Sequence, residues 1–191
     1  MPYIQAATNN IFGLMPDQGP QGRTNLYPVS SSEAVAILPG DALVWTSSAT
    51  VRAALTADTP AVYALVGVAA AALTTDQYAA TTLNLLVYDD PQQVYAIAVT
   101  TSVGFTINDY GKSFNILTSS TGTGIPSALV GRSKHALNSS NSTSGAYLKM
   151  LGLHPVEVLS AGGYVITTSV GKPQKYLVMP NVTAPVTPIT T

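Results

Sequence analysis

Two histidines, His135 and His154, are the residues with the most versatile chemistry, since imidazole binds metal ions and moves protons near neutral pH. They are 19 residues apart, and neither has a second ligand at a spacing typical of zinc sites. Glu157 lies three residues after His154 and would share its face on a helix, but Pro155 disfavours a helix there. The pattern therefore predicts packing or surface histidines rather than a metal site.

The patterns of other catalytic sites are also missing from the sequence. The chain has no cysteine, which excludes disulfides, iron–sulfur clusters, thiolate zinc sites and cysteine nucleophiles. No Gly-x-Ser-x-Gly elbow is present, and the glycine-rich residues 121–124 are not followed by the Gly-Lys-Ser/Thr of a phosphate loop. Asp89 and Asp90 are adjacent, which is more typical of a turn than of a metal site. The sequence thus predicts a protein that is not an enzyme, with no cofactor and no metal.

Charged residues make up only 9% of the 191 residues, whereas roughly 25% is typical of soluble proteins. The net charge is −1, and the two basic clusters, residues 131–135 and 172–175, carry two or three charges each. This balance argues against a nucleic-acid partner, a polybasic membrane anchor and an acidic tail. A weakly charged surface instead favours association with other proteins.

The beginning of the chain, MPYIQAATNNIFG, lacks the basic and apolar regions of a signal peptide. The longest apolar run, residues 61–73, has 13 residues and falls short of the roughly 18 that span a bilayer. From these two features we expect a soluble protein with no membrane partner, synthesised in a cytoplasm.

From residue 33 onward, short β-type runs alternate with turn residues. Residues 62–69 are apolar on both faces and predict a central, doubly buried strand. Residues 89–93 predict a hairpin turn between two strands. Because no segment has a convincing helical period, we predict an all-β fold, a compact barrel or sandwich of about ten short strands. The predicted strands are 33–38, 42–46, 51–55, 62–69, 83–88, 94–99, 146–153, 156–159, 164–170 and 176–179.

Two tracts rich in Ser, Thr, Asn and Gly, residues 119–126 and 138–145, are predicted to be loops. Such residues favour local side-chain hydrogen bonds over a β-ladder. Residues 127–137, which lie between the tracts, fit either a short helix or a strand.

The chain divides into an extended N-terminal arm (1–32), a β-domain (33–179) and a flexible C-terminal tail (180–191). Four prolines remove backbone donors from the arm, yet large apolar side chains are scattered through it. Two interpretations remain open: the arm anchors itself on a partner, or it packs on its own domain. The candidate partner-binding residues are Tyr3, Ile4, Ile11, Phe12, Leu14 and Met15.

The order of several short motifs resembles that of the capsid decoration (cement, or head-stabilising) proteins of tailed bacteriophages. Residues 39–45 (PGDALVW) and 51–54 (VRAA) resemble the family's opening "G-D-x-V… G-x-V-x-x-A", with Leu43 in place of the first Val and Ala49 in place of the second Gly. The motifs that follow are 65–70 (LVGVAA), 85–97 (LLVYDDPQQVYAI), 109–111 (DYG) and 148–153 (LKMLGL), the last with Met150 in place of Val. The resemblance covers residues 33–179, and the arm departs from the family's core pattern.

The resemblance implies a β-barrel-like module that binds the outside of an icosahedral phage head and bridges neighbouring capsid subunits. It implies the major capsid protein as partner, a homo-oligomer (trimer or dimer), a place on the capsid surface of the virion, and neither catalysis nor a cofactor. Backbone of the arm could add to an exposed sheet edge of the partner. Two alternatives remain open: another virion component, such as a head fibre base, a minor capsid protein or a tail protein, and a carbohydrate-binding β-module. The candidate sugar-stacking residues of such a module are Tyr88, Tyr95, Tyr110 and Tyr164.

Overall fold

The computed structural model describes residues 13–17, 23–30, 36–73, 83–99, 105, 107–118, 133, 135–142 (139–142 as backbone only), 146–154 and 175–181. The described residues form eleven strands and one short 3-10 turn, Ile107–Asp109, which confirms the predicted all-β fold. None of the described residues belongs to a helix long and apolar enough to cross a membrane. The strands are β1 (Met15–Pro16), β2 (Thr24–Val29), β3 (Ala42–Trp45), β4 (Val51–Ala53), β5 (Leu65–Ala69), β6 (Leu83–Tyr88), β7 (Tyr95–Ala98), β8 (Ser113–Thr118), β9 (His135–Ser142), β10 (Leu148–Leu153) and β11 (Lys175–Pro180).

Five strands form a closed barrel in the order β2-β4-β3-β5-β6. All neighbours are antiparallel except β2 and β4, which are parallel and meet at Val29 and Val51. Apolar side chains from every strand fill the barrel. The buried cluster consists of Val29, Ile37, Leu43, Val51, Ala69, Leu73, Leu85 and Val87.

The other six strands form a sheet in the order β1-β7-β11-β10-β8-β9. This sheet curls, because Val99, directly after β7, forms a parallel bridge with Leu137 of β9 from the far side of the sheet. The concave side encloses a second core built on alternate residues of its strands. That core includes Tyr95, Ile97, Phe105, Phe114, Ile116, Leu137, Tyr147, Leu148, Met150, Tyr176 and Val178.

Strands β3 and β5 join the two lobes because both of their faces are buried. Leu43 points into the barrel, whereas Ala42 and Val44 belong to the core of the curled sheet. In β5, Ala69 likewise points into the barrel, whereas Val68 belongs to the core of the curled sheet. The prediction of a doubly buried strand is thus confirmed for Leu65–Ala69, while Val62 is exposed in the preceding turn.

The hairpin predicted at residues 89–93 is wrong. Strand β6 pairs with β2 and β5 in the barrel, whereas β7 pairs with β1 and β11 in the curled sheet. The connection therefore crosses between the lobes. At its start, the Asp89 carboxylate accepts hydrogen bonds from Arg23, which precedes β2, and from Tyr27 of β2.

Three further predictions are corrected by the structure. Residues 138–142, predicted to be a loop, lie in β9 with an irregular register, since Phe114 pairs with Ser142 but Ile116 pairs with Leu137. In the predicted strand 33–38, the described residues contribute only the Ile37–Leu73 bridge. Asn181, assigned to the flexible tail, is held by a hydrogen bond from its backbone amide to Tyr147. The predicted strands 156–159 and 164–170 and the tail residues 182–191 lie outside the described residues.

The predicted boundary between arm and domain at residue 32 also differs from the structure. Residues 24–29 form β2, which pairs with β6 along its whole length, so this part of the arm is a wall of the barrel. Pro28 concealed the strand, since proline cannot donate to a ladder. It is tolerated because β2 meets its second neighbour, β4, only at Val29.

Gly67 in β5 is required by the close approach of β6. A Cβ atom at this position would overlap the backbone carbonyl oxygen of Tyr88 and lie 2.9 Å from Cγ1 of Val87. Replacing Gly67 by alanine forces two backbones apart, so we expect Gly67→Ala to lower the free energy of unfolding by about 2–3 kcal/mol. Urea denaturation followed by tryptophan fluorescence measures this change. The matched control is Gly152→Ala, where the nearest atom would be 3.8 Å away; equal stabilities of the two variants would contradict the prediction.

Candidate functional site

Residues 13–17, which we call the anchor segment, run between the two lobes and bond to both. The Gly13 amide donates to the carbonyl of His135 in β9 and the Leu14 amide donates to that of Gly40 in the barrel, each at 2.8 Å. Met15 and Pro16 pair with β7, and the Asp17 amide donates to the carbonyl of Val94 at 3.0 Å. This segment is therefore part of the folded body rather than a free arm.

Glycine is needed where the anchor segment meets the lobes. Gly13 has a φ of +93°, and a Cβ atom there would lie 2.5 Å from the Cβ of Ser133. Gly40, in the predicted turn before β3, has a φ of +91°. Residues other than glycine rarely adopt a positive φ of this size, so the junction depends on these two glycines.

The candidate partner-binding residues of the arm differ in their exposure to solvent. Leu14 is 1% exposed and lies in the core of the curled sheet, so for this residue the segment packs on its own domain. Met15 is 40% exposed. Tyr3, Ile4, Ile11 and Phe12 lie outside the described residues.

A buried histidine sits at the same junction. The Ala42 amide donates to Nδ1 of His135 at 2.9 Å, so the ring proton of the neutral imidazole is on Nε2, which is 3.7 Å from Oδ1 of Asp41. The other oxygen of Asp41 accepts from the Leu38 amide at 2.8 Å. Burial lowers the pKa of His135 below its usual range, and the Asp41 carboxylate only partly opposes this effect.

Asp41, His135 and Ser133 have the side-chain types of a nucleophilic triad, but their contacts are different. Oγ of Ser133 accepts from the backbone amide of His135 at 3.1 Å, and Nδ1 of the imidazole already accepts from the Ala42 amide. All three residues are buried. In this geometry the imidazole does not activate the serine, and the cluster instead ties β9 to β3.

A second polar cluster stabilises one end of the barrel. The side chain of Asp89 is 2% exposed and accepts hydrogen bonds from Nε of Arg23 at 2.9 Å, Nδ2 of Asn25 at 2.7 Å and the hydroxyl of Tyr27 at 2.6 Å. Burial alone would raise the pKa of Asp89, but these hydrogen bonds lower it below its usual range. Burial and the Asp89 carboxylate raise the pKa of Tyr27 to about 12.

Most other charges of the described residues are also used inside the molecule. Arg52 forms a bidentate pair with Asp58 at 2.7 and 2.8 Å, and its guanidinium lies 4.6 Å above the ring centroid of Tyr63. His154 Nε2 lies 3.3 Å from Oδ1 of Asp17, at the end of the anchor segment. The remaining pair is Lys112 with Asp109.

The described acidic and basic residues that take no part in such pairs are therefore few: Asp90, Lys149 and Lys175. Asp90 accepts from the Gln92 amide at 2.9 Å within a turn. Lys149 and Lys175 lie on adjacent strands, β10 and β11. In the ranges that the structure describes, no three His, Asp or Glu side chains come together as metal ligands.

The predicted sugar-stacking tyrosines do not form a platform in the described part of the chain. Tyr95 is buried, its hydroxyl donating to the backbone of Tyr88 at 3.4 Å, and Tyr88 is itself partly buried. Tyr110 is exposed, and Tyr164 lies outside the described residues.

Sequence reasoning missed the acidic partners of both histidines. It considered Glu157 because that residue is near His154 in sequence, whereas the partners in the fold are Asp41 and Asp17. These residues are brought together only by the pairing of distant strands, which no local sequence pattern predicts. Comparison of the chain with protein-family models, curated proteins and solved structures finds no match.

The buried imidazole predicts a dependence of stability on pH. Because the folded-state pKa of His135 lies below the unfolded value of about 6.5, the unfolded chain binds more protons between these two values. The free energy of unfolding should therefore be highest above pH 7.5 and fall as the pH decreases through 6.5, by up to about 1.4 kcal/mol per pH unit. Urea denaturation at several pH values between 8 and 5 measures this slope.

His135→Asn is the control for this pH dependence, since Asn offers a neutral acceptor near the position of Nδ1 but does not titrate in this range. The variant keeps His154, so the difference between the two slopes isolates His135. Identical slopes for the variant and the wild-type protein would refute the assignment.

Adjacent Asp89 and Asp90 offer a matched comparison. Asp89→Ala leaves the Tyr27 hydroxyl and the Asn25 amide without their acceptor, and we expect a loss of about 3 kcal/mol in the free energy of unfolding. Asp90→Ala removes one exposed turn contact and should cost no more than about 0.5 kcal/mol. Thermal and urea denaturation of the two variants test the contrast, which a similar loss in both would contradict.

Proposed function

We propose that the protein is a non-enzymatic structural component of a tailed-phage virion. In this proposal it binds the outer surface of the capsid and stabilises it by bridging neighbouring subunits of the major capsid protein. The observation that carries the proposal is the anchor segment, in which residues 13–17 are fixed to both lobes while the preceding sequence contains Tyr3, Ile4, Ile11 and Phe12.

An anchored segment suits a bridging role because it gives a binding sequence a fixed starting point. The Gly13 and Leu14 amides are held by β9 and by the barrel, so a pull on the preceding residues is transmitted to both lobes. In extended form, residues 1–12 reach at most about 40 Å. This distance is enough to contact a neighbouring subunit, where the apolar side chains would fill pockets while the backbone adds to a sheet edge.

The distribution of charge supports a role in a crowded assembly. Only 9% of the residues are charged, and most of the described ones are paired within the molecule. A surface with little unpaired charge can be buried against partners at low desolvation cost. A trimer or dimer of such a protein would multiply modest single-site affinities through simultaneous attachment.

The test is binding to purified capsids of the virus that encodes the protein, measured by co-sedimentation, together with the resistance of those capsids to heat. Deletion of residues 2–12 should reduce binding by at least about tenfold and abolish the gain in heat resistance. The deletion must stop before Gly13, because residues 13–17 and 24–29 belong to the folded body. The variant should keep the wild-type midpoint of thermal unfolding.

Point variants make this test independent of chain length. A triple variant with Ile4, Ile11 and Phe12 replaced by serine should behave like the deletion, whereas Asn9→Ser combined with Asn10→Ser should bind like the wild type. Full binding by the triple variant would exclude the apolar side chains of the arm as anchors. Wild-type protein that neither binds capsids nor protects them would refute the proposed function.

A further inference from the structure

The convex side of the curled sheet carries a patch of mixed apolar and basic character. Leu148, Met150, Tyr176 and Val178 point into the core, so the residues that alternate with them lie on the opposite side of β10 and β11. We call this patch, with the neighbouring residue of β1, the lysine face. It consists of Met15, Lys149, Leu151, Lys175, Leu177 and Met179.

The strand register places these side chains next to one another. Lys149 is directly opposite Met179 in the β10–β11 pair. Leu177 is opposite Ala96 of β7, and Ala96 is also opposite Met15 of β1. Side chains directly opposite on antiparallel strands are within contact distance, so an apolar row crosses the sheet.

The charges of the lysine face set it apart from the rest of the described surface. Lys149 and Lys175 join no ion pair, whereas the other basic residues that the structure describes, Arg23, Arg52 and Lys112, each pair with an aspartate. Two leucines lie between these lysines: Leu151, which is 40% exposed, and Leu177, which is half-buried. The patch therefore combines unbalanced positive charge with apolar area.

We infer that the lysine face is a docking surface for a protein surface that carries carboxylates around an apolar centre. The inference rests on the proposed function, under which this partner is the outer surface of the capsid. Charge complementarity selects the partner, since opposite charges steer association and fix its register. Two copies of this chain meeting through the same face would oppose lysine to lysine, which disfavours a face-to-face dimer.

The lysine face is continuous with the anchor segment. Met15 belongs to both, so the chain enters the fold at the edge of this face. A partner bound there is also beside the point from which residues 1–12 depart. The sheet face and the arm would thus contact one partner from a common side, which increases the effective concentration of each contact for the other.

Capsid binding by surface variants tests the inference after wild-type binding is established. Lys149→Glu and Leu151→Ser should each weaken capsid binding about tenfold. The control variant lies on the other lobe: Leu26→Ser changes a side chain that is 64% exposed on the barrel. This control should bind like the wild type. Wild-type affinity should fall with rising salt, and less steeply in the Lys149→Glu variant.

Lysine acetylation followed by mass spectrometry gives a second readout on the unaltered protein. Bound capsid should protect Lys149 and Lys175 from acetylation, relative to the same lysines in the free protein. Wild-type binding that persists in both face variants, with all lysines equally reactive, would overturn the lysine face while leaving the proposed function in place. Protection that instead depends on protein concentration without capsid would show a second copy as the occupant and would also overturn it. Absence of wild-type binding would refute the proposed function and this inference with it.

Discussion

The fold depends on one buried hydrogen bond, from the Ala42 amide to Nδ1 of His135, and on the anchor segment that passes beside it. Ala42 begins β3, one of the two strands that contribute to both cores, and His135 begins the edge strand of the curled sheet. An unpaired amide at this depth would cost about 1–3 kcal/mol. The neutral imidazole of His135 accepts this amide. The Gly13 and Leu14 amides add a second connection, since they donate to the carbonyls of His135 in β9 and of Gly40 before β3. The position of each lobe is therefore set by polar contacts as well as by packing.

Long side chains continue this connection along the contact between the lobes. The hydroxyl of Tyr147 donates to the backbone of Tyr63 at 2.8 Å, and Tyr95 reaches the backbone of Tyr88. At another point, the hydroxyls of Thr56 and Thr118 are 2.7 Å apart, and each accepts a backbone amide of the other residue. These groups come from loops and strand ends, where the backbone has spare carbonyls and amides. Each of these three contacts joins one lobe to the other, so the lobes are connected by hydrogen bonds as well as by apolar packing.

Sequence patterns predicted strands β3 to β7, β10 and β11 but not their partners, and β1, β2 and β8 were not among the predicted strands. Residues 83–88 form β6 with the predicted bounds, because Leu83, Leu85 and Val87 alternate with more exposed residues. The same reasoning joined β6 to β7 as a hairpin, since a turn sequence is equally compatible with a crossing between sheets. Strand β2 escaped prediction because Pro28 hides it, and residues 138–142 of β9 escaped it because serine and asparagine are poor strand formers. The site contacts, Asp41 with His135 and Asp17 with His154, are products of this long-range pairing and leave no local trace.

The few charged residues that the structure describes are mostly used in ion pairs within the molecule. Asp89 and Asp58 are nearly buried, and each is balanced by an arginine that also hydrogen-bonds a backbone carbonyl of the same region. These ions fix barrel ends and turns, so they add little to the field outside the molecule. Lys149 and Lys175 differ from these paired ions. Each lacks a counter-ion among the described residues, and the face that they share includes the exposed Leu151, so no ion pair of theirs stabilises the fold. Among the residues that the structure describes, Lys149 and Lys175 are the Lys or Arg residues without an internal counter-ion, and this contrast supports the proposed contact of the lysine face with a partner.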